Sequence, residues 1–324
     1  MPSELRFSRL RSLLSWLLLA GIVALPGAVV SQDETVPDGT ASDETALGET
    51  VPPEPLAAWQ AALARGDAAW EGRAEGHRGG RAAAGPIGEA VKAYEEALRE
   101  APKDFEIRWK LLRALYFQGD FVVTDVEKKK EIFGRGREVV EGALDLLAPE
   151  VGGREKLDGM TPKEIAAAFA GRDEVGYVYY WGAIAWGLWG DAYGKMAAAR
   201  QGVGRKIDDY ARVAIELVPD HESAGGHRLL GRLHTEAPKI PFFTGWIDRD
   251  LAISELRIAH EKAPEEPYNP VYLADALLRF DKKKEQEAIR LLEEAVTRTP
   301  RDFKLVEDTK ILGDAKALLR TAKN

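Results

Sequence analysis

Three histidines and two glutamates lie close together in the sequence, where they could hold a metal ion. His221, His227 and His234 are spaced six and seven residues apart, with Glu222 and Glu236 beside them. Metal ligands on one helix are usually four residues apart, because that spacing brings two side chains to one ion. The observed spacing does not do this. The sequence therefore predicts no metal site and places these histidines at the surface or along a groove.

Residue patterns that support catalysis are absent from the sequence. It has no G-x-S-x-G, H-E-x-x-H or G-x-x-x-x-G-K-[ST] motif, and no cysteine that could act as a nucleophile, a zinc ligand or a disulfide partner. Asp208 and Asp209 are adjacent on a predicted helix, so their carboxylates point in different directions and make a poor acid–base pair. We expect a protein that is not an enzyme and needs no cofactor.

The overall charge argues against one class of partner. The chain has 324 residues and a formal net charge of −8. Nucleic-acid binding requires clustered Lys and Arg to neutralise phosphates. We therefore expect no nucleic-acid partner.

An aromatic stretch, YYWGAIAWGLWGD at residues 179–191, holds three of the eight tryptophans. At 100° per residue, its small residues and those that follow fall on one narrow stripe. The stripe consists of Ala183, Gly187, Gly190, Gly194 and Ala197. Glycine in a helix costs about 0.5–1 kcal/mol relative to alanine, so this spacing predicts a helix packed closely against a neighbour.

The large aromatic residues fall on an adjoining arc of the same helix. We expect Trp181 and Trp189 in the core, whereas Trp186 either completes the core or lines a binding groove. The uncharged run from Gly176 to Gly190 is shorter than the ~20 residues that a membrane-spanning helix needs.

A loop rich in Pro and aromatic residues, APKIPFFTGWIDRD, covers residues 237–250. It could fold over the core, or it could form a lid that contacts a partner. Asp248 is predicted to cap a helix that begins near Arg249. The candidate partner- or ligand-binding residues of the chain are Tyr180, Trp186, Arg232, His234, Phe243 and Trp246.

A repeated helical pattern must position these residues. The spacing A-x3-[Y/L]-x2-A-x4-P occurs three times, which puts a small, a large and a small residue on one helical face before a terminating proline. The positions are Ala90, Tyr94, Ala97 and Pro102; Ala252, Leu256, Ala259 and Pro264; and Ala288, Leu292, Ala295 and Pro300. A degenerate copy has Ile207, Ala211, Ala214 and Pro219, and another has Val140 and Ala143. From residue 56 onward the sequence predicts an all-α protein built from helix-turn-helix repeats.

The repeats are irregularly spaced. Pro264 and Pro300 are 36 residues apart, close to the ~34 residues of a regular repeat, but earlier steps are longer. We therefore predict insertions at residues 77–86, 121–131, 150–173 and 235–248. Residues 305–324 are predicted to form a C-terminal capping helix, after a repeat domain at residues 56–304.

This pattern resembles the tetratricopeptide repeat (TPR) family over residues 56–300. The first helix of that repeat carries a large residue, a Leu and a small residue, which RLLGRL around Gly231 and YLADAL around Ala276 match. The resemblance implies an α-solenoid whose concave surface binds a protein or a peptide.

A narrower stretch, residues 177–278, resembles the T component of TRAP transporters. YYWGAIAWG, ESAGGHRLLGRL and FFTGWIDRDLAISELRIAHEKAP follow one another in that family's order. The resemblance implies an exported accessory of solute uptake that binds a solute-binding protein. Many members are lipoproteins, and the absence of cysteine departs from that.

The N-terminus has the composition of an export signal. Arg6, Arg9 and Arg11 precede the apolar run LLSWLLLAGIVAL, and small residues follow it. We predict a signal peptide at residues 1–31, cleaved after Ser31 or Ala28, with an uncleaved anchor as the alternative. Either interpretation places the remainder in the periplasm. Residues 32–55 are acidic and lack aromatic residues, which predicts a disordered linker.

Taken together, these features predict an exported, non-catalytic scaffold that binds a protein or peptide partner. The alternative is a periplasmic protein that binds a small molecule or lipid in a groove walled by the aromatic arc and the loop around residues 242–246. The chain could also form oligomers.

Overall fold

The computed structural model describes residues 57–238 and 244–324, and these residues form fourteen α-helices. The helices are α1 Ala58–Glu71, α2 Ala84–Glu100, α3 Phe105–Phe117, α4 Val126–Leu147, α5 Arg154–Gly159, α6 Pro162–Ala168, α7 Asp173–Tyr193, α8 Lys195–Arg200, α9 Val203–Leu217, α10 Gly225–Glu236, α11 Arg249–Lys262, α12 Tyr268–Phe280, α13 Glu285–Val296 and α14 Leu305–Ala322. The described residues contain no β-strand, only one isolated bridge between Arg78 and Arg81. The signal peptide and most of the linker predicted above lie outside the described residues.

The helices pack as consecutive pairs, α1 with α2, α3 with α4, α7 with α9, α10 with α11, and α12 with α13. Each pair contacts the next, and α14 packs against α13 and α12. This arrangement confirms the prediction of an all-α solenoid of helix-turn-helix repeats.

The repeated small-large-small positions form the contacts within the pairs. All nine of these residues in the three complete copies are fully buried. On the facing helix, a Cβ placed at Gly231 would lie 2.6 Å from Leu256 Cγ and 3.0 Å from the backbone oxygen of Ala252. In the same way, a Cβ placed at Gly66 would lie 2.5 Å from Tyr94 Cε1. The large residue of one helix therefore fills the space that a glycine leaves on its partner.

Two predicted insertions contain helix. α4 begins at Val126, capped by the Asp125 side chain, so most of residues 121–131 is not a loop. Residues 150–173 hold the short helices α5 and α6. The side chains of Asp125 and Thr161 cap the first turns of α4 and α6.

The glycine stripe on α7 is shorter than predicted. The helix ends at Tyr193 because Gly194 adopts a φ of +90°, a conformation that side-chain-bearing residues rarely take. Gly194 and Ala197 therefore do not continue one helical face, and Ala197 belongs to α8. The close approaches of α7 occur at Gly176, Gly182 and Gly190, against Val218, Val140 and Ala198.

Helix α7 lies in the interior of the protein. Every residue from 178 to 190 is buried. Within residues 57–238 and 244–324, no helix is both long enough and apolar enough to cross a bilayer.

The superhelix closes on itself. Arg73, which follows α1, pairs with Glu307 of α14, and Lys310 of α14 pairs with Asp120 after α3. The Tyr268 hydroxyl donates to the Glu307 backbone oxygen from α12. Helices α3, α7, α10 and α12 are consequently buried on nearly all sides. The inner face is filled by side chains, so the expected open concave surface is not present in the described part of the chain.

Replacing Gly231 by Ala tests the close packing. The added Cβ would clash with the Ala252 oxygen, which cannot move away as a flexible side chain could. We expect the free energy of unfolding to fall by about 1–3 kcal/mol, measured by urea denaturation. Gly313→Ala is the matched control, since a Cβ there meets nothing within 4 Å and should stabilise helix α14 by about 0.5–1 kcal/mol. Equal effects of the two substitutions would contradict the packing argument.

Candidate functional site: a buried charged centre

The candidate residues from the sequence that the structure describes lie in four separate places. Tyr180 is fully buried near the centre of the superhelix, and Trp186 is 2% exposed in the core between α4 and α9. His234 and Trp246 lie together where α9, α10 and the loop after α10 meet, whereas Arg232 pairs with Asp275 of α12. Phe243 lies outside the described residues.

Arg232 belongs to a compact network of charges between α10 and α12. Its Nη1 donates to Asp275 Oδ2 at 2.5 Å, and its Nη2 lies 2.7 Å from Glu236. Arg279 pairs with the same two carboxylates. Because both carboxylates are shared by two guanidinium groups, the network holds the two helices together and leaves Arg232 little freedom.

His234 is a core residue, so the expectation that it lies at the surface or along a groove is wrong. Its Nδ1 accepts the backbone N–H of Asp248 at 2.9 Å, which leaves Nε2 to donate to Asp208 Oδ1 at 3.2 Å. The ring is 2% exposed, since the loop after α10 passes over it. The Asp208 carboxyl has its pKa lowered by its hydrogen bonds to His234 and Arg212, which outweigh the effect of burial.

The described part of that loop is anchored on the solenoid. Trp246 packs edge-on against His234, with ring centres 5.4 Å apart, and Arg205 of α9 stacks over it at 4.0 Å. Ile247 is buried. The Asp248 side chain accepts the N–H groups of Asp250 and Leu251, which confirms the predicted cap at the start of α11.

The centre of the superhelix contains an unusual turn between α9 and α10. Glu222, Ser223 and Ala224 have φ values of 55°, 56° and 61°. These three consecutive residues therefore lie in the left-handed backbone region, which residues other than glycine seldom occupy. Such strain persists only where surrounding contacts impose it, and it is concentrated at functional sites.

Arg228 imposes this conformation. Its guanidinium donates to the backbone oxygens of Ser223 and Glu222 at 2.9 and 2.6 Å, and to Asn269 Oδ1 at 2.6 Å. Asn269 in turn donates to the carbonyl of Ala259 in α11 and to that of Ala263, the residue after the helix. Arg228 is fully buried, so these bonds replace its water contacts.

The strained turn directs the Glu222 carboxylate into the protein. Glu222 is 3% exposed, and neither carboxylate oxygen has a hydrogen-bond partner among the described residues. Lys304 Nζ lies 3.8 Å away, too far for a hydrogen bond, and makes its close contact, 2.8 Å, with Glu266. Burial raises the pKa of Glu222 to about 7, against the opposing effect of the Lys304, Arg113 and Arg228 charges.

His221 lies beside this carboxylate in an aromatic environment. The centre of its ring lies 4.3 Å from that of Tyr177, with the two planes tilted by 34°, and 4.9 Å from that of Tyr180, which is edge-on. Both ring nitrogens are buried without a hydrogen-bond partner among the described residues. Burial, together with the nearby cations Arg113, Lys304 and Arg228, lowers the pKa of His221 to about 3, so the ring is neutral at pH 7.

The centre therefore combines a carboxyl that titrates near neutrality with a histidine that stays neutral. The described residues contain no group of three His, Asp or Glu positioned to hold a metal ion. What this arrangement can do chemically is take up and release one proton at the junction of α3, the α9–α10 turn and the segment before α14.

Sequence reasoning missed most of this centre. Glu222 entered only as a neighbour in the metal argument, and Arg113, Arg228, Glu266 and Lys304 were not singled out. One signal was available, because Arg113 interrupts the apolar run LLRALYF of α3 at a position that must face the core.

Comparisons with known proteins find similarity only among solved structures. No protein-family model and no curated protein matches the chain. A thermophilic TPR protein of Thermus thermophilus is 18% identical, with a TM-score of 0.46, over 82% of this chain and 99% of its own. The TPR2AB domain of yeast Sti1, in a complex with pHSP90, is 14% identical with a TM-score of 0.28, over 82% of this chain and 98% of its own.

Yeast Tom70 is also similar, at 14% identity and a TM-score of 0.26, over 84% of this chain and 66% of its own. The repeat architecture is established by the helix pairing and the buried repeat positions described above.

The pKa of Glu222 predicts a specific pH dependence. Its folded value of about 7 exceeds its ordinary value of 4.5, so between these pH values the folded protein holds a proton that the unfolded chain releases. The free energy of unfolding contributed by this group is therefore highest below pH 4.5 and is lost as the pH rises towards 7. Glu222→Gln should gain stability relative to the natural protein across this window and keep that gain at higher pH, measured by urea denaturation.

His221→Gln is the matched control because its effect has the opposite direction. The folded pKa of His221 is about 3, below its ordinary value of 6.5, so its contribution is present above pH 6.5 and lost as the pH falls towards 3. The difference in free energy of unfolding between His221→Gln and the natural protein should grow towards acid pH. The corresponding difference for Glu222→Gln should grow towards neutral pH. A Glu222→Gln difference that does not change between pH 4.5 and 7 would contradict the assignment.

Proposed function

We propose that this chain is an exported, non-catalytic scaffold that binds a protein partner on its outer surface. The observation that carries the proposal is a surface of aromatic and basic residues at the edge of the solenoid where α4, α7, α8 and α9 meet. We call this surface the aromatic–basic edge. Its exposed residues are Tyr193 and Met196; Lys130, Arg137 and Lys206 are half-buried beside them, and Trp186 and Trp189 lie buried beneath them.

A row of aromatic rings runs along this edge from the core to solvent. Trp186 and Trp189 lie edge-on with ring centres 5.7 Å apart, and Trp189 stacks on Tyr193 at 4.5 Å. Tyr193 is 43% exposed and Met196, in the following helix α8, is 68% exposed. Rigid aromatic residues backed by a packed core are typical anchors of protein interfaces.

Cations flank the row of rings. Lys206 Nζ is 4.1 Å from the centre of the Trp186 ring, the Arg137 guanidinium is 5.3 Å from that of Trp189, and Lys130 Nζ is 5.8 Å from that of Tyr193. Residues 192–207 contain four cations and no carboxylate, in a protein of net charge −8. Charge complementarity therefore favours a partner with an acidic surface.

We further propose that the partner is a solute-binding protein and that the chain is an accessory of TRAP-type solute uptake in the periplasm. The order of the three motifs at residues 177–278 supports this role. The basic and then apolar composition of residues 1–31 supports export.

The alternative of a small-molecule groove walled by the aromatic arc receives less support. Trp181 and Trp186 are 1% and 2% exposed, and α7 is surrounded by α3, α4 and α9. Within the described part of the chain, these rings therefore present no accessible surface to a ligand.

Replacing Tyr193 and Met196 by Ser tests the proposed interface. The partner should be a single acidic protein, identified by cross-linking in the cell envelope, and the double variant should bind it at least about tenfold more weakly. The affinity of this partner for the natural chain should fall as the salt concentration is raised from about 50 to about 300 mM.

Ile258→Ser is the matched control, since this exposed apolar residue lies on α11 and outside the aromatic–basic edge. It should leave binding unchanged, and circular dichroism should show all variants folded. Equal binding by the double variant and the natural chain would exclude this edge as the interface.

Export has its own test. Expressed in full in a bacterial host, the chain should be recovered from the periplasm with Gln32 or Val29 as its first residue, measured by intact mass. Recovery of the full-length chain from the membrane fraction would support the uncleaved anchor. Recovery of the full-length chain from the cytoplasm would exclude export altogether.

A further inference from the structure

A groove on the outside of the solenoid combines an apolar floor with arginine side chains. It lies between α2 and α4, above α3, and has a volume of about 450 Å³. Small-molecule sites in proteins commonly occupy about 300–1,000 Å³. The groove shares no residue with the aromatic–basic edge.

Leucines form the floor of the groove. Leu111 and Leu115 come from α3, and the partly buried Leu98 comes from α2. Leu111 and Leu115 are each 2% exposed, so they belong to the core and present a fixed surface. Such a floor favours a ligand with an apolar part.

Arg108 is held rigidly at the groove and is 9% exposed. Its Nη2 donates to the Pro102 oxygen at 2.6 Å and its Nη1 to the Val139 oxygen at 3.3 Å, while Nε has no partner among the described residues. Gly142 allows this approach, because a Cβ there would lie 3.2 Å from Nη1. The charge of Arg108 is thus positioned by backbone carbonyls; the Asp104 carboxylate is near enough to interact with this charge but forms no hydrogen bond with it.

Three arginines and two glutamates line the groove, so its lining has an excess of one positive charge. Arg135 pairs with Glu95 across the groove, and Glu138 lies close enough to Arg135 to interact with its charge. Arg99, on the exposed side of α2, has no ion-pair partner among the described residues. Arg99 and Arg108 are therefore the two guanidinium groups available to an anion, above an apolar floor.

We propose that this groove binds a small amphipathic carboxylate, with its carboxylate at Arg99 and Arg108 and its apolar part on the leucine floor. A guanidinium group matches a carboxylate in charge and in planar geometry. A ligand cation is repelled by the same two groups, and a short carboxylate leaves the leucines uncovered.

The probes that test this proposal are octanoate, octylamine and butanoate, titrated calorimetrically into the folded chain below micelle-forming concentrations. Octanoate should bind in a 1:1 complex, butanoate at least about tenfold more weakly because it buries fewer methylene groups, and octylamine should not bind. Equal binding of octanoate and octylamine would show simple apolar adsorption and overturn the proposal. Absence of octanoate binding would overturn it as well.

Arg99→Ala should weaken octanoate binding about tenfold or more, because a charge-assisted hydrogen bond is lost without disturbing the core. Arg290→Ala is the matched control, since Arg290 is an exposed arginine of α13 that lies outside the groove. An equal effect of the two substitutions, or none from Arg99→Ala, would refute the assignment of the site. The proposed protein interface would be unaffected by either result, because Tyr193 and Met196 lie elsewhere.

Discussion

The buried ion pair between Arg73 and Glu307 is the contact on which the shape of the protein depends. The two residues are 234 positions apart in the chain, and their side chains, joined at 3.0 Å, are 3% and 1% exposed. Arg73 also donates to the Trp70 oxygen and stacks over the Trp70 ring at 4.3 Å. Removing one partner of such a pair leaves a buried charge uncompensated, which typically costs about 3–5 kcal/mol. The pair therefore joins the first helix pair of the described chain to its last helix.

Closure of the superhelix decides where binding can occur. An open solenoid offers its concave face to partners. Here that face is occupied by the charged centre around Glu222 and Lys304 and by aromatic side chains of α3, α7 and α12. Partner and ligand contacts are consequently left to the outer surface, where the aromatic–basic edge and the arginine groove occur.

The sequence predicted the fold well because the repeat is a local signal. The spacing of Ala90, Tyr94 and Ala97, and its two further copies, follows from how one helix packs on the next, and all these residues are buried. Asp248 was also predictable, because a helix cap depends on residues only two or three positions away. The end of α7 was not predictable in this way. The spacing of small residues continues through Gly194, whereas the helical backbone conformation ends there because Gly194 has a positive φ.

The sequence by itself determined that the described chain is a stack of helix pairs, without cysteine chemistry and with a net negative charge. Only the tertiary structure decided that the stack closes, that His234 and Trp186 are buried, and that Glu222, Lys304 and Arg113 meet at one centre. These residues come from distant helices, so no short-range periodicity brings them together. The pKa of Glu222 depends on burial by all of these helices at once, and that burial exists only when the chain has folded.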